Sequence, residues 1–152
     1  MRHRSRVFAS LALAAASFGL LTGQAAPVGV AVTVKVTDIR NSKGVVRACM
    51  TTDAKKFPRC QGNPDAHSAV VDAAGTLTLT FRGVKPGRYG IALLHDENSN
   101  GKADRALGMM PKEGYGFSRD APVRMAPPKF AEAAFDVGSS AQTLTIKMRY
   151  WL

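Results

Sequence analysis

Apolar and polar residues alternate over much of the chain. Between Val28 and Val36 every second residue is a valine, and Gly, Ala, Thr and Lys stand between them. The same alternation recurs in "TLTLTFRG", Thr76 to Gly83, and in "QTLTIKMRYW", Gln142 to Trp151. A period of two residues is typical of a β-strand that buries one of its faces. These segments therefore predict strands.

Turn residues separate the predicted strands. "RNSKG", Arg40 to Gly44, lies between the first strand and "VVRACMTT", so we expect these two strands to form an antiparallel hairpin. Further strands are predicted in "HSAVVD", "RYGIALLHD" and "KFAEAAFDV". The Ala and Glu content of the last segment would also suit a helix, but Pro127-Pro128 and two Phe favour a strand. About seven short strands predict an all-β fold, an antiparallel β-sandwich.

One segment, residues 98–128, shows little strand pattern. It spans about thirty residues, whereas connections in compact domains are usually about 4–6 residues long, and loops of that length are often functional. Its apolar residues indicate that it packs onto the sandwich. Within "EGYGFS", the aromatic pair Tyr115 and Phe117 would either bind a ligand such as a sugar or pin the loop to the core.

The N-terminal residues have the three parts of a secretory signal peptide. Arginines in the first six residues form a basic region, and Val7 to Leu21 form an apolar run. Small residues up to Ala25 then provide an A-x-A-like cleavage site. The apolar run is shorter than the roughly 20 residues that a membrane-spanning helix needs. We therefore predict a signal peptide at residues 1–25, a periplasmic or secreted protein, and no transmembrane segment.

Removal of that peptide would leave residues 26–152, the size of one domain. The peptide carries three Arg and no acidic residue, so its loss lowers the formal net charge from +10 to +7. In an exported protein such a charge favours anionic envelope polymers, lipid head groups or acidic glycans over nucleic acid. The Lys and Arg are scattered, however, so the charge would equally serve solubility alone.

Two cysteines, Cys49 and Cys60, lie on either side of "MTTDAKKFPR". An oxidising compartment would allow them to form a disulfide. Free thiols or half of a metal site are the alternatives. Because there is no third Cys and no His between the two, the sequence favours the disulfide.

The stretch "HDENSNGKAD" is compatible with a calcium-binding loop. Acidic and amide residues occupy its first, third and fifth positions, Gly101 the sixth, and an Asp the ninth, as in D-x-[DN]-x-[DN]-G loops. Calcium takes six to eight oxygen ligands, including backbone carbonyls. The predicted ligands are Asp96, Asn98, Asn100, the carbonyl of Lys102, and Asp104.

The match to such loops is incomplete. Leu107 stands at the twelfth position, where an EF-hand has a bidentate Glu, and a strand precedes the loop in place of a helix. Glu113 in "PKEGYG" is the best candidate for the missing carboxylate. With so few carboxylates we expect a dissociation constant of about 10⁻⁴–10⁻³ M. The alternative is a polar turn, because Asp, Asn, Ser and Gly are preferred in turns for backbone reasons.

The segment "LLHDENSNGKADRALGMMPKEGYGFS" resembles the characteristic motif of a family of exported bacterial proteins, domain of unknown function 2141. The resemblance implies a secreted β-sandwich, similar to immunoglobulin or transthyretin domains, and no particular activity. The loop is also similar to the calcium loops of B-type repeats in bacterial surface adhesins. Asp96, Asn98, Asn100 and Asp104 match that pattern, and Leu107 departs from it.

No arrangement of residues predicts catalysis. His95 follows a strand and is expected to be a structural, hydrogen-bonded residue, and no nucleophile with a candidate base is recognisable. The sequence therefore predicts a binding or structural module of the cell envelope, stabilised by calcium, and no enzyme. One alternative is a protein that binds a small molecule or glycan without a metal, and the other is an envelope enzyme built on His95, Asp96 and Glu113.

Overall fold

The computed structural model describes residues 28–106 and 109–151. The predicted signal peptide and Leu107 lie outside the described residues. The strands are β1 Val30–Thr37, β2 Val45–Thr51, β3 His67–Asp72, β4 Leu77–Val84, β5 Gly87–Asp96, β6 Arg105–Ala106, β7 Met110–Pro111, β8 Gly114–Phe117, β9 Phe135–Val137 and β10 Gln142–Lys147. A 3₁₀ helix, Ser118–Asp120, and the single-turn α1, Phe130–Ala133, complete the elements. The predicted all-β class is confirmed, with more strands than the seven expected.

Two sheets face each other. The smaller sheet has the order β10-β1-β4, and the larger has the order β3-β2-β5-β8, with β9 paired to the start of β5. β1 runs parallel to β10, and the other pairs in both sheets are antiparallel. The remaining pair, β6 and β7, forms a separate small hairpin. This arrangement is a β-sandwich, as the alternating pattern predicts.

The predicted hairpin between the first two strands is wrong, because β1 and β2 belong to different sheets. The turn between them carries the chain from one layer to the other. Both strands alternate in the same way, and each turns its apolar face to the space between the sheets: Val34 from one layer, Val46 from the other. Alternation shows which face of a strand is buried, but it does not identify the neighbouring strand.

The main core lies between the two sheets and consists of aliphatic side chains from both. Its largest fully buried members are Val32, Val34, Val36, Val46, Met50, Val84, Ile91, Leu93 and Ile146. Complete burial of such a side chain contributes roughly 1.5–3 kcal/mol. In the strands that alternate, the apolar face is therefore the one that packs between the sheets and stabilises the sandwich.

A second apolar cluster covers the outer face of the larger sheet. There Phe57, from the segment between the cysteines, contacts the rings of Phe117 and Phe130 at centroid distances of 6.0 and 5.7 Å. Ala92 of β5 lies beneath them. Because β5 is covered on both faces, its sequence is a nearly continuous apolar run instead of an alternating one.

The predicted disulfide is present and fixes this cover to the sheet. Cys49 on β2 is bonded to Cys60, with their Cα atoms 5.5 Å apart. The segment between them folds back over the sheet that contains Cys49. Within the described residues, no helix is long and apolar enough to cross a membrane.

Two segments differ from their predicted form. "KFAEAAFDV" is a helical turn followed by the short β9, because Glu132 accepts a hydrogen bond from the N–H of Lys129 at 2.6 Å and so caps α1. Residues 98–128 contain three short strands, one of which, β8, extends the larger sheet. β8 has glycine, and no large apolar residue, on its inner face. Gly116 lies against Ile146, and a Cβ atom on Gly116 would be 2.9 Å from a methyl group of Ile146.

Candidate functional site

The predicted calcium loop begins where β5 ends, and its backbone curls back on itself. The carbonyl of Asp96 accepts the N–H of Ser99 at 3.3 Å. Ser99 and Gly101 have left-handed backbone angles, with φ of 57° and 77°. A glycine adopts this angle at low cost, so Gly101 permits the sharp turn that its position in the motif predicts.

Asp96 organises this loop from within. Its side chain is fully buried. Oδ1 accepts the N–H of Asn100 at 3.0 Å, and Oδ2 accepts the N–H of Gly101 at 2.9 Å and the Nε of Arg47 at 2.6 Å. Burial opposes ionisation of this carboxyl, but the hydrogen bonds from Arg47 and the two backbone groups outweigh it and hold the pKa below its ordinary value.

Three other predicted ligands meet at one point. The side-chain amides of Asn98 and Asn100 contact the carboxylate of Asp104, with nitrogen to oxygen distances of 2.7 and 3.1 Å. The N–H of Lys102 donates to Oδ1 of Asn100 at 2.8 Å. Oδ1 of Asn98 likewise accepts the N–H of Asn100 at 3.1 Å, so the amide oxygens face the loop backbone and the amide nitrogens face Asp104.

Glu113 reaches the loop from the connection between β7 and β8. It is 3% exposed. Its two carboxylate oxygens accept the N–H groups of Glu97 and Asp104 at 3.2 and 3.0 Å, one at each end of the loop. Burial, together with the nearby carboxylates of Asp104 and Asp96, raises the pKa of Glu113. The structure thus places this carboxylate against the loop, where the sequence predicted a further acidic ligand.

Glu97 forms a second ion pair at this end of the sandwich, with Arg40. Both of its oxygens accept from Arg40, at 2.7 and 2.8 Å, and Asn41 donates to one of them at 2.6 Å. The guanidinium of Arg40 also lies over the ring of Tyr150, 4.5 Å from its centroid. The hydrogen bonds from Arg40, followed by that from Asn41, lower the pKa of Glu97 to about 2.

Four carboxylates lie close together at this end of the sandwich, and the exposed cations Lys102 and Arg105 lie in and directly after the loop. The four carboxylates belong to Asp96, Glu97, Asp104 and Glu113, and the guanidinium groups that pair with two of them belong to Arg40 and Arg47. Two like charges close together disfavour ionisation, which agrees with the raised pKa of Glu113. A cation held between Asp104 and the two amides would relieve this repulsion.

The donor set limits which cation would fit. Within the described residues, no three His, Cys, Asp or Glu side chains are grouped closely enough to hold a metal ion by themselves. An ion at this loop would therefore take amide, backbone and water oxygens in addition to carboxylates. Such an all-oxygen set suits calcium and is unsuited to zinc, which takes nitrogen and sulfur ligands.

His95 supports the loop from the core side of β5. The side chain is fully buried, and its two ring nitrogens contact the hydroxyl of Tyr150 at 2.7 Å and the carbonyl of Lys43 at 2.8 Å. Because a carbonyl only accepts, Nε2 donates to the carbonyl of Lys43, and Nδ1 of a neutral ring accepts from the hydroxyl of Tyr150. The hydroxyl in turn accepts the N–H of Arg40 at 3.2 Å.

Tyr150→Phe should lower the free energy of unfolding by about 1–2 kcal/mol, because it leaves the buried Nδ1 of His95 without its donor. Urea unfolding of the purified protein measures this loss. Tyr115→Phe is the matched control, since the Tyr115 hydroxyl makes no hydrogen bond to another described residue and should change stability by less than about 0.5 kcal/mol. Equal losses in the two variants would contradict the bridging role of Tyr150.

The predicted aromatic pair lies on the outer face of β8, where Tyr115 is close enough to Glu113, Arg105 and Asp104 for their charges to act on its hydroxyl. Phe117 is 3% exposed and belongs to the second apolar cluster, so it fastens this strand to the sheet. Tyr115 packs against the edge of the same cluster and is half-buried. Of the two rings, only that of Tyr115 has appreciable surface for a ligand.

Four residues that contact the site were not identified from the sequence: Arg40, Asn41, Arg47 and Tyr150. Each comes from a different part of the chain than the loop, and their sequence separations from their partners range from 49 to 57 residues. Only the pairing of strands brings them near. The Arg47 partner of Asp96, for example, depends on the register of β2 against β5.

The comparison with known families gives one match. The family described as "Uncharacterized protein conserved in bacteria (DUF2141)" matches residues 34–145, which include most of both sheets and the whole Asp/Asn loop. No curated protein and no solved structure matches the chain. The predicted family resemblance is therefore confirmed.

Proposed function

The protein belongs to the DUF2141 family of uncharacterised bacterial proteins, and from that premise we propose that it is an exported β-sandwich module of the cell envelope that binds calcium. The ion would lie in the loop from Asp96 to Asp104. It would order the loop and the adjoining segment that contains β6 to β8. The module would act by binding or by structure and not by catalysis.

The observation that carries this proposal is the convergence of Asn98, Asn100 and Asp104 on one point. The backbone there is already curled around Asp96 by two N–H to carboxylate bonds. Ligands that are positioned before the ion arrives lose little conformational freedom when it binds. The buried and half-buried carboxylates around this point would attract the ion.

Asp96 and Glu113 would act as supports for this site. Asp96 is engaged by Arg47 and two backbone groups, and Glu113 holds the backbone at both ends of the loop. The direct ligands would then be the side-chain oxygens of Asn98, Asn100 and Asp104, the carbonyl of Lys102, and water. One free carboxylate is consistent with the weak affinity, about 10⁻⁴–10⁻³ M, of extracellular calcium modules.

Export is supported by the basic, apolar and small-residue regions of residues 1–25 and by the Cys49–Cys60 disulfide. Disulfides persist in oxidising compartments such as the periplasm. They are rare where thiols are kept reduced. The disulfide is thus compatible with a location outside the cytoplasm.

Calcium should raise the melting temperature of the purified protein by about 3–5 °C when its concentration is tenfold above the dissociation constant. That excess corresponds to about 1.4 kcal/mol of added stability. The melt is recorded in EDTA, in about 10 mM calcium and in about 10 mM magnesium, which is tenfold above the weakest dissociation constant expected. Magnesium, which gives up its water reluctantly, should produce a smaller rise.

Asp104→Asn tests the site with a minimal change, because it removes one charge and keeps a side chain that can accept hydrogen bonds. The calcium-dependent rise should disappear in this variant. Asp136→Asn, which removes an exposed carboxylate on β9, is the matched control and should keep the full rise. A flat response of the unmodified protein, or equal responses in both variants, would overturn the proposal.

A further inference from the structure

The segment around Cys60, residues 53–62, forms a second distinctive surface far from the Asp/Asn loop. Along β2 and β5, Val45 pairs with Asp96, whereas Thr51 pairs with Gly90. The two ends of β2 are therefore about 20 Å apart, at roughly 3.3 Å per residue. The disulfide segment follows Thr51, so the two surfaces lie at opposite ends of the larger sheet and can be altered separately.

This segment surrounds an open depression of about 410 Å³. Its lining includes three exposed cations, Lys55, Lys56 and Arg59, and no carboxylate. Among the described residues none of the three forms an ion pair. One wall is apolar and consists of Phe57 and Pro58, each of which is partly exposed. The depression therefore joins positive charge to a hydrophobic ring surface.

The segment is held in place before any ligand arrives. The disulfide closes it, and the inner side of the Phe57 ring lies against Phe117 and Phe130. Within the segment, the N–H of Phe57 donates to the carbonyl of Asp53 at 3.0 Å, and Nζ of Lys56 donates to the carbonyl of Gly62 at 2.6 Å. A ligand would thus meet a surface that has little conformational freedom left to lose.

We propose that this basic depression binds an acidic glycan of the cell envelope. Carboxylate groups along a sugar chain complement Lys55, Lys56 and Arg59, while the apolar face of a sugar ring packs on Phe57 and Pro58. The depression is shallow and open, and its cations beside an apolar wall suit a sugar ring that carries a carboxylate. This inference names a ligand class for the proposed envelope module. It rests on the proposed function for the location of the protein.

Binding of a fluorescent oligogalacturonide to the purified protein tests the inference, with polyphosphate and phosphatidylglycerol vesicles as the other anionic probes. The variant Lys55→Glu/Lys56→Glu/Arg59→Glu should weaken oligogalacturonide binding by at least about tenfold, because three favourable charge contacts become repulsive. Lys55→Glu/Arg59→Glu leaves the Lys56 contact with Gly62 in place. This double variant should still weaken binding several-fold, which would show that the loss in the triple variant does not come from a loosened segment.

The matched control reverses the same number of exposed cations elsewhere, as Lys35→Glu/Arg82→Glu/Lys85→Glu. It has the same net charge as the triple variant and should weaken binding by less than about threefold. Equal weakening in both would overturn the inference, since only the overall charge would then matter. Tight binding of polyphosphate or vesicles with none of the oligogalacturonide would overturn it as well.

The two proposals fail separately. Loss of glycan binding in the triple variant should leave the calcium-dependent melting shift intact, because Asp104 lies at the other end of the sheet. Asp104→Asn should likewise leave oligogalacturonide affinity within about twofold of the unmodified protein. A calcium shift without glycan binding would retain the proposed calcium site and reject the glycan site.

Discussion

Gly44→Ala is expected to lower the free energy of unfolding by about 3–4 kcal/mol. Gly44 has a φ of +64°, in the left-handed region that alanine occupies only at a cost of roughly 1–2 kcal/mol. A Cβ atom at this position would also meet the backbone: it would overlap the carbonyl oxygen of Asp96 and lie 2.7 Å from the carbonyl carbon of Glu97. Backbone atoms cannot rotate away as a side chain can, so the turn and the start of the Asp/Asn loop would have to separate.

Gly62→Ala provides the matched control for this substitution. Its φ of +69° is nearly the same, but a Cβ atom there would have no other atom within 4 Å. We expect it to cost about 1–2 kcal/mol, which is the conformational term alone. Urea unfolding of the two variants therefore separates the backbone angle from the close approach. Equal losses would show that Gly44 is not in tight contact with the Asp96 backbone.

Gly44 shows which structural features the sequence predicts and which it does not. Its position in "RNSKG" predicts a turn and a left-handed angle, and both are present. The residue that it touches, however, lies 52 positions further along the chain and becomes its neighbour only because β2 pairs with β5. The predicted β1–β2 hairpin was wrong for the same reason, since periodicity carries no information on strand partners.

In the candidate site, too, the local contacts were predictable from the sequence and the long-range contacts were not. The spacing of Asp96, Asn98, Asn100 and Gly101 indicates a curled, oxygen-rich loop because each residue acts on backbone groups within five positions of it. Those interactions are local, so a local pattern can encode them. The guanidinium groups that neutralise two of the carboxylates come from β2 (Arg47) and from the turn before it (Arg40), and no pattern in the loop could predict them.

Ionised Glu97 stabilises the folded protein, and about 2 kcal/mol of this contribution to the free energy of unfolding should be lost between pH 4.5 and pH 2. Its pKa is lowered from 4.5 to about 2, chiefly by the hydrogen bonds from Arg40 and then by that from Asn41. A carboxyl whose pKa is depressed in the folded state stabilises it fully above the pKa of the unfolded state, and this contribution is lost as the pH falls through the folded-state pKa. The shift in pKa corresponds to an upper bound of roughly 3 kcal/mol. Solvent screens part of it, because the side chains of Glu97 and Arg40 are 20% and 33% exposed.

Glu97→Gln isolates this contribution, because glutamine can still accept the hydrogen bond from Nε of Arg40 but carries no charge. Urea unfolding in EDTA between pH 2 and pH 6 should show that the variant is less stable than the unmodified protein at pH 6 and nearly equal to it at pH 2. Glu113 has a raised pKa, so it favours the folded state on the acid side. Because both proteins retain it, its effect cancels in the difference between them. Asp136→Asn is the control, because it breaks an exposed ion pair in which the side chains of Arg88 and Asp136 are 55% and 78% exposed. Its free energy of unfolding should differ from that of the unmodified protein by less than about 0.5 kcal/mol at every pH. Parallel stability profiles for the unmodified protein and Glu97→Gln would show that the Arg40–Glu97 pair contributes no net charge interaction to the fold.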